Sequence, residues 1–418
     1  MASSNRYDWK NGPPILENHS RCKHDIIREY LIQYMCVVTK GSLRYRNKEF
    51  NLTIVDGFAG GGKYLYENRE VDGSPLILLQ AVKEATMLIN SERQGLGQDA
   101  LTINVDFFFV EKDKATAKYL DNTLIKEGYK NGKVQVMHGQ FGSCLPQIIE
   151  CIKTKSRGKR GRALFILDQY GYSKVLLGQV MNIMQSAKSE IILTFAVGSL
   201  LAYLCDKSES TLMKIGLTDT DIAQIRHKDN RDNPNKCRSV IQHVLSKQFL
   251  EMGYFYTPFC IYGDTSGWGY WLVHLSSHYR ARDEMMKIHW NKGNEMVHYG
   301  KEGLDMFGYR SKQDEKHTRQ LSIGFAFRFD QLAKEKVRTA LHSEIPELIH
   351  QKGSMAYRDL LNEIFNHTPA NREIINQVLW KGVENKEFNI PRREVKNIKD
   401  DDVITVSRQK SIFPMRRK

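Results

Sequence analysis

The segment Thr53–Tyr66, TIVDGFAGGGKYLY, ends an apolar run in Asp56 and then places glycine at positions 57, 60, 61 and 62. Glycine has no Cβ, so backbone N–H groups in such a loop can approach a ligand closely. Two chemistries match the spacing. Gly57–Lys63 has the form G-x-x-x-x-G-K of a phosphate-binding loop, and ALFILDQ, ending near Asp168, resembles the strand that accompanies it. Asp56–Gly62, D-G-F-A-G-G-G, has instead the form of the first motif of an S-adenosylmethionine site. A phosphate loop needs Ser or Thr after its lysine to hold magnesium, and a helix whose N-terminus faces the phosphates. Tyr64 follows Lys63, and the next helix-start signal is Ser74-Pro75. Nucleotide hydrolysis is therefore the weaker reading.

The methyl-donor reading asks for particular groups at successive strand ends. Gly60 and Gly62, with Phe58 in the same loop, form a thin wall for the cofactor's aminoacyl part, and Asp56 is placed to accept a hydrogen bond from its ammonium. FFFVEKD ends in Glu111, a carboxylate for two ribose hydroxyls. HGQFGS offers Gln140 to an adenine edge and Phe141 to its face. FILDQYG puts Asp168 and Tyr170 at the transfer position. In amino-methylating enzymes a D/N-P-P-Y/F turn accepts hydrogen bonds from the target amine, and its aromatic residue stacks on the extruded base. Here Gln169 replaces proline, and its side-chain oxygen is expected to add an acceptor. Hydroxyl methylation would ask for a Lys/Asp network, which the sequence alone does not assemble. The ordinary alternatives are loop capping for Asp56, a solvated strand end for Glu111, core packing for Phe141 and turn packing for Tyr170.

These groups need a scaffold. Strand-like and helix-like segments alternate from 51 to about 276, and the strand runs are apolar enough for a parallel sheet covered on both faces. YFYTPFCIYGDTSGWGYWLVHLSSH reads as a closing antiparallel hairpin. The expected fold is α/β, a Rossmann-like methyltransferase sheet plus a small winged-helix-like C-terminal module. The expected organisation is a helical lead-in over 1–50, the sheet domain over 51–300 with a polar helical insertion at about 205–250, a connection over 301–345, and the C-terminal module over 346–418. In that module Ser354 and Thr368-Pro369 are expected to cap two short helices.

The chain has 418 residues and a formal net charge of +14, which favours a polyanionic partner such as nucleic acid. The basic run KTKSRGKRGR precedes the Asp168 strand and so is expected at the far edge from the strand ends, as a solvated loop. The N-terminus has no apolar signal core and no apolar run approaches a membrane span, so a cytoplasmic protein is expected. Seven dispersed cysteines without C-x-x-C pairs argue against disulfide or zinc frameworks. No metal site is expected, His274 and His278 falling at a strand end with no acid between them.

The stretches WKNGPPILENHS, KHDIIREYL, TIVDGFAGGGKY with GSPLILLQA, FILDQYG and YWLVHLSSHYRARDEMMKIHW together resemble the bacterial three-Cys-motif partner protein family, TcmP. The resemblance extends over nearly the whole chain. Family members usually carry D-G-F-A-G-P-G and D-P-Y/F-G, where this chain has Gly61 and Gln169. The resemblance implies a methyltransferase-type domain and a functional partner, a three-Cys-motif protein of iron–sulfur or radical type. The expected function is S-adenosylmethionine-dependent methylation of DNA or RNA. The alternative is a non-catalytic nucleic-acid-binding partner, a defence-system component with a methyltransferase fold.

Overall fold

The computed structural model describes residues 7–40, 48–155, 161–169, 175, 177–195, 213, 217–226, 246–252, 254–262, 269–293, 295–298, 302–304, 306, 325–391 and 398–407. The chain divides into two compact units, Met1–Ile288 and His289–Lys418.

The first unit opens with helix α1, Asn18–Lys40. Its buried stripe includes Lys23, Ile26, Ile27, Tyr30, Leu31 and Tyr34, at the 3–4 residue spacing of one helix face. Strand β1, Glu49–Asp56, leads through the glycine loop into a short hairpin, β2 (Lys63–Tyr66) and β3 (Arg69–Asp72). Glu67 and Asn68 turn that hairpin with φ of 50° and 62°, the left-handed pair of a tight two-residue turn. Helix α2, Ser74–Gly95, follows, then β4 (Thr102–Glu111), α3 (Lys114–Lys126), β5 (Val134–His138), α4 (Phe141–Lys155), β6 (Arg162–Leu167), α5 (Leu177–Ser186) and β7 (Lys188–Phe195). Strands β8 (Phe255–Tyr262) and β9 (Gly269–Ser276) complete the sheet.

The seven-stranded sheet has the order β5-β4-β1-β6-β7-β9-β8. Strands β5, β4, β1, β6 and β7 are parallel to their neighbours, and β9 and β8 join antiparallel. This is the expected Rossmann-like methyltransferase sheet with its closing hairpin. The order reverses between β1 and β6, and such a reversal opens a crevice at the carboxyl ends of the strands. Ile54, Phe109, Phe165, Ile166 and Leu167 are buried throughout, so the strands at the crevice are rigidly seated.

Most of the expected insertion at 205–250 lies outside the described residues. Ser74 is not the cap of α2: Gly73 is, with no side-chain cap bond, and the Ser74 side chain lies near Asp56, where it lowers that carboxyl's pKa.

The second unit contains a hairpin of β10 (Glu295–His298) and β11 (Phe325–Arg328), then helix α6 (Gln331–Lys352), β12 (Ser354–Ala356), α7 (Tyr357–Ile364), α8 (Arg372–Glu384), β13 (Phe388–Asn389) and β14 (Val403–Val406). The last three strands form an antiparallel sheet in the order β12-β14-β13. The segment expected to be a connection, 301–345, thus supplies β11 and much of the 22-residue α6. Two expected caps are also displaced. Ser354 lies in a strand, and α8 is capped by Asn371, whose side chain accepts the Ile374 N–H at 3.0 Å.

Candidate active site at the carboxyl ends of β1, β4 and β6

The glycine loop is tied to both neighbours of β1. Gly57 N–H donates to Ile166 O at 2.9 Å, and Ala59 N–H to Val110 O at 3.0 Å. Gly60 and Gly62 have φ of +61° and +83°, a region that favours glycine. A Cβ on Gly61 would lie 2.4 Å from the Trp9 ring, so Trp9 roofs the loop. Trp9 is buried, and its indole N–H donates to Lys63 O at 2.8 Å. Tyr64 meets Trp9 and Tyr7 edge-on, with centroids 5.3 and 5.7 Å away. The lead-in is stitched to β2 by Leu16 N–H to Leu65 O at 2.7 Å and Leu65 N–H to Pro14 O at 2.8 Å.

Three carboxylates surround this cradle. Asp56 is fully buried, its Oδ1 accepts the Phe58 N–H at 3.1 Å, and its Oδ2 has no aligned donor. Burial pushes its pKa up to about 7, against the bonds from Ser74 and Phe58 and with a further push from Asp168 and Glu111. Glu111 Oε2 accepts Gly60 N–H at 3.0 Å, and Oε1 accepts Asp113 N–H at 2.8 Å. Asp168 sits at the centre of a three-residue turn closed by Gln169 N–H to Leu167 O at 2.9 Å. The Tyr64 phenol lies within electrostatic reach of all three. Burial raises its pKa, and so do Tyr7 and the charges of Asp168, Asp56 and Glu111.

Asp168 has a partner that the sequence did not reveal. Lys23, from α1, donates to its Oδ1 at 2.7 Å and its Oδ2 at 2.6 Å. The lysine side chain is only 5% exposed, and that of Asp168 is 27% exposed, so the carboxylate is the face turned toward the opening. Burial alone would raise the Asp168 pKa. The Lys23 ammonium and its hydrogen bond, then a bond from the Thr194 side chain, outweigh that and hold it below the usual carboxylate range. His24 is buried beside the pair. Burial first and Lys23 second bring its pKa down to about 4, so it is neutral near pH 7. The sequence did carry a signal: Lys23 stands at i−3, i−4 and i−7 from Ile26, Ile27 and Tyr30, a charge on an apolar stripe.

No protein-family model matches the chain, and no curated protein matches it. Solved structures do resemble it. Trm1 from Pyrococcus horikoshii, in complex with S-adenosyl-L-methionine, is 9% identical at a TM-score of 0.31, over 95% of this chain and 93% of that one. TYW2 from M. jannaschii, in complex with AdoMet, is 10% identical at 0.26, over 62% and 76%. The type I restriction-modification methyltransferase subunit from Streptococcus thermophilus is 10% identical at 0.29, over 60% and 43%. Scores this low add nothing to the strand order, which stands on its own pairing.

Of the expected site residues, Asp56, Phe58, Gly60, Gly62, Glu111 and Asp168 come together at the crevice. Gln140 is exposed just before α4. Phe141 is corrected: it is 3% exposed and packs in the core beneath Gly57, 6.1 Å from the Phe58 ring, with no face left for a base. Gln169 is corrected as well. It is 1% exposed and its Oε1 accepts the Val175 N–H at 3.0 Å, so the side chain turns inward and gives the site no acceptor. Tyr170 lies outside the described residues.

Lys63 begins a strand, not a helix. Its ammonium meets Asp72 at 2.8 Å, Glu127 at 3.1 Å and Glu70 at 3.5 Å, which leaves it engaged by acids where a phosphate loop would need it free. In the basic run, 156–160 lie outside the described residues, and Lys155 pairs with Asp106. His274 is buried 3.4 Å from Glu190, and no three metal-ligating side chains cluster among the described residues. No helix among the described residues is long and apolar enough to cross a membrane.

Proposed function

We propose that the protein is an S-adenosylmethionine-dependent methyltransferase acting on nucleic acid. The observation that carries this reading is Asp56, a buried carboxylate whose Oδ2 lacks an aligned donor at the mouth of a glycine cradle. A buried acceptor in that state is costly unless a ligand donor satisfies it. The α-ammonium of the methionine part is such a donor, and it would also supply the charge that Asp56 lacks. Gly60 and Gly62 line the path with backbone. Glu111, reached from β4, would take the ribose hydroxyls while keeping Gly60 in place. Phe58 and the exposed Gln140 are the remaining candidates for the adenine. S-adenosylmethionine supplies an electrophilic methyl on a positively charged sulfur. The chain's contribution is to position the acceptor in line with it.

Net charge supports a nucleic-acid substrate, and so does the element order from α6 onward, helix–strand–helix–helix–strand–strand, which resembles that of a winged helix. The exposed residues on α8 include Glu373, Gln377, Lys381 and Glu384, so that helix is not itself a basic face. The resemblance to TcmP adds a three-Cys-motif protein as partner, which co-purification of the two chains tests.

Calorimetric titration with S-adenosylhomocysteine tests the cofactor. One-site binding that weakens in Glu111→Ala is expected, and absence of binding overturns the reading. Gel shifts with RNA and DNA at 50 and 200 mM salt test the substrate class, with affinity falling steeply as salt rises. Cofactor binding with no transfer to either nucleic acid would instead fit a non-catalytic partner.

A further inference from the structure

Tyr64 stands where a phosphate loop would carry its magnesium-binding hydroxyl, and it sets a hydroxyl of its own over the glycine cradle. A Cβ on Gly60 would lie 3.0 Å from the phenol oxygen. The ring is fixed from several sides. Trp9 and Tyr7 meet it edge-on at 5.3 and 5.7 Å, and His24 is 6.3 Å away. Gly73 lies against it, since a Cβ there would come within 2.7 Å of Cε2. Strand geometry sets the direction. Successive side chains of a strand point to opposite faces, and Lys63 turns to Asp72, Glu127 and Glu70. Tyr64 therefore turns the other way, toward the cradle.

Phenylalanine would fill this place as well, so packing leaves the hydroxyl unexplained. It has no hydrogen-bond partner among the described residues, although a buried tyrosine hydroxyl usually finds one. The methionine part of the cofactor carries a carboxylate on the same carbon as the ammonium that Asp56 is placed to meet. That anion has to enter a site holding Asp56, Glu111 and Asp168, and it needs a donor that those acids do not capture. A lysine is captured, as Lys23 is by Asp168 and Lys63 by its three acids. A phenol is not. Burial first, then Tyr7 and the charges of the three acids, raise its pKa, so it keeps its proton and stays a neutral donor.

We propose, resting on the methyltransferase reading above, that Tyr64 is a further cofactor-binding residue whose hydroxyl donates to the carboxylate of the methionine part while Asp56 accepts from the ammonium. The two side chains then read the two halves of one zwitterion, on either side of Gly60. An O–H donor to a carboxylate is a charge-assisted bond, and its loss corresponds to about 10–100-fold in Kd.

The experiment is calorimetric and needs no turnover. Wild type and Tyr64→Phe are titrated at pH 8, above the Asp56 pKa of about 7, with two ligands. One is S-adenosylhomocysteine. The other is its decarboxylated analogue, which keeps the ammonium and lacks only the carboxylate. Tyr64→Phe is expected to bind S-adenosylhomocysteine about 10–100-fold more weakly than wild type. Wild type is expected to lose the same factor when the ligand loses its carboxylate, and Tyr64→Phe to lose nothing further. Undiminished binding of S-adenosylhomocysteine by Tyr64→Phe overturns the assignment. So does an equal loss for both ligands in that variant, which would make the tyrosine a packing residue. The wild-type arm stands whether or not the variant folds. There, indifference to decarboxylation overturns the proposal, and a loss far beyond about 100-fold does too, since the carboxylate would then have a stronger holder than one hydroxyl. If S-adenosylhomocysteine does not bind wild type, the methyltransferase reading falls and takes this assignment with it; binding by wild type that Tyr64→Phe matches removes the assignment alone.

Discussion

Asp56→Asn should make the ligand-free protein more stable while disabling it. The folded-state pKa of Asp56 is about 7, against an ordinary 3.8, and burial is the main cause. Between those values the folded chain holds a proton that the unfolded chain has released. The stability this group contributes is therefore fully present below about pH 4 and is lost as pH rises through 7. The loss is about 1.4 kcal/mol per pH unit and about 4 kcal/mol in all. Asparagine keeps an oxygen for the Phe58 N–H and has no charge to bury. Variant minus wild type should thus grow from pH 4 to 7 and level above it, reaching about 8 °C in Tm at roughly 2 °C per kcal/mol for a large domain. His24 and every other titrating group is common to both proteins and cancels in the difference. Scanning calorimetry from pH 4.5 to 8.5 measures it. With S-adenosylhomocysteine present the variant's advantage should shrink by about 1.5–3 kcal/mol, because only wild type gains the charge-assisted bond, a difference of about 10–100-fold in Kd. A difference that is flat with pH would refute the reasoning, since it would mean that Asp56 ionises freely in its buried position.

Wild-type affinity for S-adenosylhomocysteine should fall about tenfold per pH unit below 7, as Asp56 takes up the proton that the ligand's ammonium displaces; a pH series of titrations shows it. Trp9→Ala removes a buried ring and the indole bond to Lys63 O, and should cost about 3–5 kcal/mol with weaker cofactor binding, measured by denaturant unfolding and calorimetry. Gly61→Ala places a Cβ 2.4 Å from the same ring and should cost about 1–3 kcal/mol, a penalty that largely disappears when Trp9 is already alanine, as a double-mutant cycle would reveal. Lys63→Ala leaves Asp72, Glu127 and Glu70 without their shared cation and should lower Tm, with no ATP turnover in either protein.

The sheet was legible because its strands are apolar runs ending in recognisable residues. Asp56, Glu111 and Asp168 could be named from those ends, since a doubly wound sheet gathers its carboxyl termini on one side. What escaped reading has specific causes. Lys23 lies 145 residues from Asp168, and no local pattern links a lead-in helix to the end of a later strand. Phe141 and Gln169 follow strand ends just as ligand-binding residues do. Whether such a side chain turns outward or inward depends on close contacts, Gly57 against the Phe141 ring and Val175 N–H on the Gln169 oxygen. The β2–β3 hairpin was missed because its turn is Glu67-Asn68, and glutamate is a poor marker for a left-handed position. Ser74 has the sequence signature of a cap, yet the N-cap position belongs to Gly73.

Trp9 and Lys23 both precede β1, so the cradle's roof and the cation on Asp168 come from outside the sheet. The sheet supplies the glycine loop and the three carboxylates, and the lead-in supplies the ring above that loop and the cation on Asp168. Because Ile26, Tyr30, Leu31 and Met35 of that lead-in are fully buried, the segment that completes the site is also part of the core, and a change of its inward face reaches both at once.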